Sequence, residues 1–256
     1  MSLSVIIITK NEAATIEACL QSVKFADEII VLDSNSQDDT VPICKKYTAN
    51  VYVTEDWPGF GAQKARALQY VTKEWVLVID ADERIPEALQ KEIVSKLPTT
   101  TYDGFNLRFS SKYCGRFIRY GDWYNEKHLR LFRRSKGGIV PHLVHCRVDV
   151  KGTVGLMQNP VLHESFPDLS AVLYKMNLYS STSAQQKFAA GQQASLGTAI
   201  THGIWAFIRG YFIRGGFLDG AEGFMLAVSN AEGTYYRYLK LRHLWLKQNQ
   251  AKELKS

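Results

Sequence analysis

Trp75-Val76-Leu77-Val78-Ile79-Asp80-Ala81-Asp82 is an unbroken apolar run that ends in two acids one residue apart. A short apolar run of this kind reads as a strand buried on both faces. The two carboxylates therefore leave a sheet at its carboxyl end, the edge where open α/β sheets bind ligands. Oxygen donors on a rigid strand end suit Mg²⁺ or Mn²⁺, which bind through one or two carboxylates and substrate phosphates. The chemistry suggested is departure of a phosphate-containing leaving group. A surface turn carrying two acids is the plainer reading of an isolated Asp-x-Asp, and the buried run ahead of it argues against that reading.

Working outward, Ser4-Val5-Ile6-Ile7-Ile8, Glu28-Ile29-Ile30-Val31-Leu32 and Asn50-Val51-Tyr52-Val53 read as further strands. Residues 11–23, a short stretch from Thr40, residues 61–70 and residues 86–97 read as helices between or after them. Strands alternating with helices predict a doubly covered α/β sheet, mainly parallel. From Gly104 the segments become short, aromatic and basic, with strand-like pieces at Leu129-Arg130-Leu131-Phe132 and 155–163. Residues 167–190 read as helical, and residues 203–247 mix bulky apolar residues, arginines and glycines. The predicted organisation is a catalytic domain over 1–165, with a nucleotide half (1–100) and an acceptor half (101–165). A helical extension over 166–256 follows.

The chain has 256 residues, 46% hydrophobic and 22% charged, which is the composition of a soluble globular protein. The first residues lack a basic stretch before their apolar run, so they do not read as a secretory signal. No stretch of about 18 apolar residues is present to span a membrane. Cys19, Cys44, Cys114 and Cys146 have no metal-ligand spacing and read as reduced thiols, which favours the cytoplasm. The net charge is +6, and residues 105–151 hold eleven Lys/Arg against three Asp/Glu. Such a run is either a solvated face or a site for an anionic partner.

Each early strand ends in polar residues. Thr9, Asn11 and Glu12 follow the first, and Asp33, Ser34 and Ser36 the second. Acceptors of this kind can meet a base and ribose, while helix-start N–H groups meet phosphate. The plainer alternative is that Asp33 and Ser36 cap the next helix. Lys64 and Arg66 follow the glycines of Gly59-Phe60-Gly61 and could face a diphosphate, or else lie on a solvated helix face.

Taken in order, residues 4–12, the Asp33-Ser34-x-Ser36-x-Asp38 turn, residues 61–68 and Ile79-Asp80-Ala81-Asp82-Glu83 resemble glycosyltransferase family 2. The resemblance implies a GT-A fold, a nucleotide-diphosphate sugar donor, a divalent metal and inversion at the anomeric carbon. Trp123-Tyr124, Arg130-Leu131-Phe132-Arg133-Arg134, Leu162-His163, Lys175-x-Asn177-x-Tyr179-Ser180 and the Tyr211-to-Gly220 segment resemble its lipopolysaccharide-core branch. That branch attaches β-linked glucose, or a related sugar, to inner-core heptose, which implies UDP-glucose as donor. It also implies work on the cytoplasmic face of the inner membrane. The chain departs from relatives at His145-Cys146, where His-Glu is frequent, and at Asp33-Ser34, where Asp-Asp is frequent.

By this reading Asp80 and Ala81 meet the nucleotide. Asp80 and Asp82 ligate the metal, and His163 is either a third ligand or a structural histidine. An inverting transfer needs a base for the acceptor hydroxyl. Glu126, then His145, then Asp122 are the candidates, each of which could also be structural or bind an acceptor phosphate. Residues 203–247 read either as a core-packing helix or as an interfacial segment facing anionic lipid. Within the same chemistry, another UDP-sugar or a polyprenyl phosphate acceptor would also fit. From different classes, nucleotidyl transfer and a basic nucleic-acid-binding module compete with glycosyl transfer. The module leaves the strand-end acids unexplained, so nucleic acid is not an expected partner.

Overall fold

The computed structural model describes residues 2–140 and 147–253. The chain divides into two units, residues 1–110 with 125–164, and residues 111–124 with 165–256. The boundary near 165 expected from the sequence puts residues 111–124 with the catalytic half. They belong instead to the second unit, for the packing reason given below.

The first unit opens with β1 (Leu3–Thr9), α1 (Ile16–Ser22), β2 (Glu28–Asp33), α2 (Thr40–Lys45), β3 (Val51–Val53), α3 (Phe60–Leu68) and β4 (Trp75–Asp80). β5 (Glu83–Arg84), α4 (Glu87–Lys96), β6 (Gly104–Tyr113), β7 (Arg116–Phe117) and β8 (Lys127–Arg133) come next. β9 (Gly137–Val140), β10 (Arg147–Val150) and β11 (Val154–Phe166) complete the strands, of which β7 lies in the second unit. Among the described residues the sheet order is β3-β2-β1-β4-β8-β6-β11-β5, with β7 beside β6. β3, β2, β1 and β4 run parallel, and β8 then pairs antiparallel to β4. All seven residues of β1 and five of six in β4 are buried, as a strand covered on both faces requires. One apolar cluster, including Ile7, Leu20, Leu77, Leu89 and Leu107, lies on one side of the sheet residues. A second, including Ile6, Ile30, Ala67, Val78 and Phe132, takes the alternate residues of the same strands.

The α/β sheet with a carboxyl-terminal helical extension agrees with the GT-A arrangement that the resemblance implies. Cys19 and Cys44 are buried free thiols whose pKa burial pushes up, Cys44 to about 12, so both stay protonated.

The second unit contains α5 (Leu169–Ala189), α6 (Leu196–Ile208) and α7 (Gly220–Glu253). A π-helical turn (Arg209–Ile213) and a 3₁₀ turn (Gly216–Asp219) join α6 to α7. α7 packs on both α5 and α6. Residues 111–124 join this unit through Tyr113 and Ile118, which are buried with Val172 and Leu226. The Tyr113 hydroxyl lies 2.8 Å from Ser229 Oγ. No helix among the described residues is long and apolar enough to cross a membrane.

Candidate active site

The carboxyl ends of β1 and β2 are tied into one frame. Asn11 N donates to Ser36 Oγ at 2.8 Å, and Gln37 N donates to Asn11 Oδ1 at 2.8 Å. Glu12 N donates to Thr40 Oγ1 at 2.8 Å. Asn11 and Asn35 in this frame adopt φ 54° and 57°, a region Asn tolerates better than most residues. Asp33 is fully buried and accepts from both Ser36 N (2.8 Å) and Ser36 Oγ (2.5 Å). Its carboxylate therefore holds the turn that follows β2. Ser34 Oγ accepts from Gln63 Nε2 at 2.8 Å. Thr9 Oγ1 is buried at the same edge with no hydrogen-bond partner among the described residues, an unusual state for a buried hydroxyl.

At the end of β4 the two acids diverge. Asp80 meets Lys64 Nζ at 2.5 Å and Arg130 Nη2 at 3.1 Å. Burial works against its ionisation, but Lys64 and Arg130 outweigh burial and hold the carboxyl well below the usual range. Ala81 is buried. Asp82 turns the other way, with Oδ2 3.3 Å from His163 Nε2. His163 is 81 residues away in the chain and arrives because β11 pairs with β5, setting His163 opposite Glu83. Glu164 N also donates to Asp82 O at 3.0 Å. Burial opposes the charged imidazole, yet the hydrogen bond and charge of Asp82 hold the His163 pKa above its ordinary value.

The roles of three residues, Glu83, Arg130 and Phe109, emerge only from the structure. Glu83 is fully buried, accepts from Asp80 N at 2.8 Å, and meets Arg130 at 3.2 Å. Burial pushes its carboxyl up, against the pull of Arg130. Phe109 lies edge-on to both His128 and His163, at 5.0 and 6.3 Å between centroids, and so spaces them. Glu83 and Arg130 stand inside motifs legible in the sequence, but nothing in spacing pairs them.

Asp82 and His163 can hold a divalent ion. Neighbouring donors at about 2.0–2.1 Å from one ion stand about 3 Å apart, close to the separation here. Among the described residues no group of three His, Cys, Asp or Glu forms a fuller site. The remaining positions would fall to phosphate oxygens and water, which is how Mg²⁺ is commonly held. Asp80 is not part of that pair, since its charge is met by Lys64 and Arg130.

The other candidate residues have these surroundings. Lys64 is buried on Asp80 instead of facing open solution, and Arg66 forms a fork on Asp56 at 2.6 and 2.9 Å. Neither presents a free cation to a diphosphate. Asp122 lies in the second unit and is gripped by Arg209 at 3.0 and 2.9 Å and by Arg214 at 2.9 Å. Both of its carboxylate oxygens are taken up by these guanidiniums. Glu126 is half-exposed, with Oε1 2.8 Å from His128 Nε2, and that hydrogen bond outweighs burial to lower its pKa. His145 lies outside the described residues. Three arginines of the basic run are engaged within the first unit. Arg130 is on Asp80, Arg133 on Glu74, and Arg134 donates to Val71 O at 2.7 Å.

Residues 4–148 match the model of the family described as Glycosyl transferase family 2. The chain is 33% identical to an uncharacterized glycosyltransferase of Rickettsia prowazekii, over 96% of this chain and 88% of the relative. It is 30% identical to the lipopolysaccharide core biosynthesis glycosyltransferase LpsC of Rhizobium meliloti, over 90% of this chain and 88% of that protein. Among solved structures, glucosyl-3-phosphoglycerate synthase of Mycobacterium tuberculosis with Mn²⁺, UDP and glucosyl-3-phosphoglycerate is 30% identical. It covers 44% of each chain at a TM-score of 0.36. Staphylococcus aureus TarS 1–349 is 16% identical over 97% of this chain and 92% of that one, at 0.48.

Proposed function

The chain belongs to glycosyl transferase family 2, and from that premise we propose that it moves glucose from UDP-glucose to a heptose of the lipopolysaccharide inner core, with inversion. The observation that carries this reading is the strand-end pair Asp82–His163 beside an Asp80 already neutralised by Lys64 and Arg130. That arrangement separates a cation site from a fixed polar wall, as a departing nucleoside diphosphate requires. The name of the Rhizobium relative supports the acceptor class. The reading places the enzyme peripherally on the cytoplasmic face of the inner membrane, where such an acceptor is held by its lipid.

Asp82 and His163 would hold Mg²⁺ or Mn²⁺, which supplies charge stabilisation to the leaving diphosphate. Asp33 acts through Ser36, keeping the β2 turn shaped for the uridine, and Thr9 Oγ1 is a free hydroxyl at that edge. Glu126 takes the acceptor hydroxyl proton. His128 must release Glu126 as the hydroxyl arrives, because the pairing lowers its basicity.

A donor screen for UDP release, with heptose-terminated deep-rough lipopolysaccharide as acceptor, tests this. UDP-glucose should give acceptor-dependent UDP release with Mg²⁺ or Mn²⁺. Release of pyrophosphate instead would point to nucleotidyl transfer. Turnover only with another UDP-sugar, or only with a polyprenyl phosphate, would correct the donor or the acceptor.

A further inference from the structure

Helix α6 is built inside out for an aqueous surface. Its buried residues are the small ones, Ala199, Gly203 and Ala206. α7 comes so close that a Cβ on Gly203 would lie 3.2 Å from the Tyr235 Cβ. Its large residues face outward. Leu196, Ile200, Ile204 and Ile208 recur every fourth position and are all exposed, Ile204 by 57%, with Trp205 beside it at 53%. A water-facing helix keeps its apolar stripe toward the core. Small residues inside and large ones outside is the pattern of helices that pack within an apolar medium.

The exposed apolar surface continues past the helix. Phe212, Ile213, Phe217 and Leu218, on the π-helical and 3₁₀ turns, are exposed, Ile213 by 63%. Ring contacts of 5.1–6.2 Å chain Phe207, Phe212, Tyr211, Phe217 and Phe224 together, so the surface is continuous. An open groove of about 540 Å³ between α6 and α7, lined by Ile200, Ile204, Phe207 and Tyr235 among others, extends it. Contiguous apolar patches of this kind on a protein surface mark interaction sites.

We infer that α6 and the two turns after it form a bilayer-docking face that inserts into one leaflet of an anionic membrane. Charge selects this occupant over a second copy of the chain. The second unit holds thirteen Lys/Arg against six Asp/Glu, while the first holds eighteen against nineteen. A face on so positive a unit repels its own copy and is drawn to anionic lipid. With no helix among the described residues long and apolar enough to cross, the contact is interfacial. The apolar side chains carry the contact, because Arg209, Arg214 and Lys240 are engaged within the unit. Arg209 and Arg214 hold Asp122, and Lys240 donates to Asn177 O, Ser180 Oγ and Ser181 Oγ.

The inference rests on the peripheral placement proposed above and on nothing about the sugars. The full chain is mixed with phosphatidylglycerol-containing or pure phosphatidylcholine vesicles, without donor or acceptor, and sedimented. Wild type should pellet with the anionic vesicles. Ile204→Asp and Ile213→Asp should each lower the partition coefficient by about tenfold or more, with circular dichroism and UDP affinity unchanged. Wild type remaining in the supernatant with both lipids, or variants that bind as wild type does, would overturn it. So would a wild-type dimer that Ile204→Asp converts to monomer while vesicles go unbound, which would make the face a homodimer surface. A failed donor screen alongside intact vesicle binding would count against the proposed reaction alone.

Discussion

Asp80 and Asp82 sit one residue apart and have opposite surroundings, two cations for the first and an imidazole for the second. Asp82→Asn should therefore abolish the Mn²⁺-dependent part of UDP affinity, measured by calorimetry with and without chelator, while leaving the unfolding midpoint nearly unchanged. Wild-type Mn²⁺ dependence in that variant would refute the metal assignment. Lys64→Met should act differently, on stability. Breaking a buried ion pair costs about 3–5 kcal/mol, and less where one partner keeps solvent access, as Asp80 does. A clear drop in urea midpoint is expected for Lys64→Met and almost none for Arg66→Ala, whose pair is exposed. The base gives a pH test. His128 lowers the Glu126 pKa, so His128→Ala should move the acidic limb of the kcat/KM profile to higher pH. An unmoved limb would exclude Glu126, and Glu126→Gln should cost about 10²–10⁴-fold in turnover. The two aspartates were legible in the sequence because a buried run led into them. The roles of Glu83, Arg130 and Phe109 were not, because each depends on strand register across tens of residues.

The parallel strands were readable because burial on both faces leaves an unbroken apolar signature, as in β1 and β4. The antiparallel strands were harder to read. β11 alternates irregularly, carries Pro160, and turns to α4 for part of its hydrogen bonding. α1 begins at Ile16, where the sequence suggested Asn11, because Asn11 is spent on the Ser36 and Gln37 bonds in a left-handed conformation. Glu92 on α4 makes the β11 contact, accepting from Gln158 N and Asn159 N and pairing with Lys96 at 2.7 Å. Burial opposes its ionisation, but Lys96 and these donors bring its pKa from 4.5 to about 2. Since the folded-state value is the lower, the contribution is fully present above pH 4.5 and is lost as pH falls toward 2. It is on the order of 2–3 kcal/mol. Wild type should lose urea stability across that window. Glu92→Gln should be less stable at pH 7 and flatter below pH 4.5, and parallel curves for the two proteins would show that Glu92 contributes no such linkage.

At the scale of the molecule, the sequence showed a change of character near residue 104 and a helical tail. It did not show that residues 111–124 leave the first unit for the second. That reassignment rests on side chains distant in sequence, such as Tyr113 with Ser229 and Asp122 with Arg209 and Arg214. Asp219 adds to it, accepting from Arg119 N and Tyr120 N at 2.9 and 2.7 Å. The same contacts decide between two roles for Asp122. A catalytic base predicts that Asp122→Asn keeps its melting temperature and loses turnover. A tether predicts the reverse order of effects, because Asn cannot satisfy two guanidiniums as a carboxylate does. Hydrogen bonds to charged groups contribute about 1.5–3 kcal/mol, and in a chain of this size each kcal/mol shifts the melting temperature by about 2–4 °C. Asp122→Asn should thus melt about 3–12 °C lower while retaining Mn²⁺-dependent UDP binding, which belongs to the first unit. An unshifted melting temperature combined with a turnover loss of about 10²-fold or more would return Asp122 to the chemistry and displace Glu126.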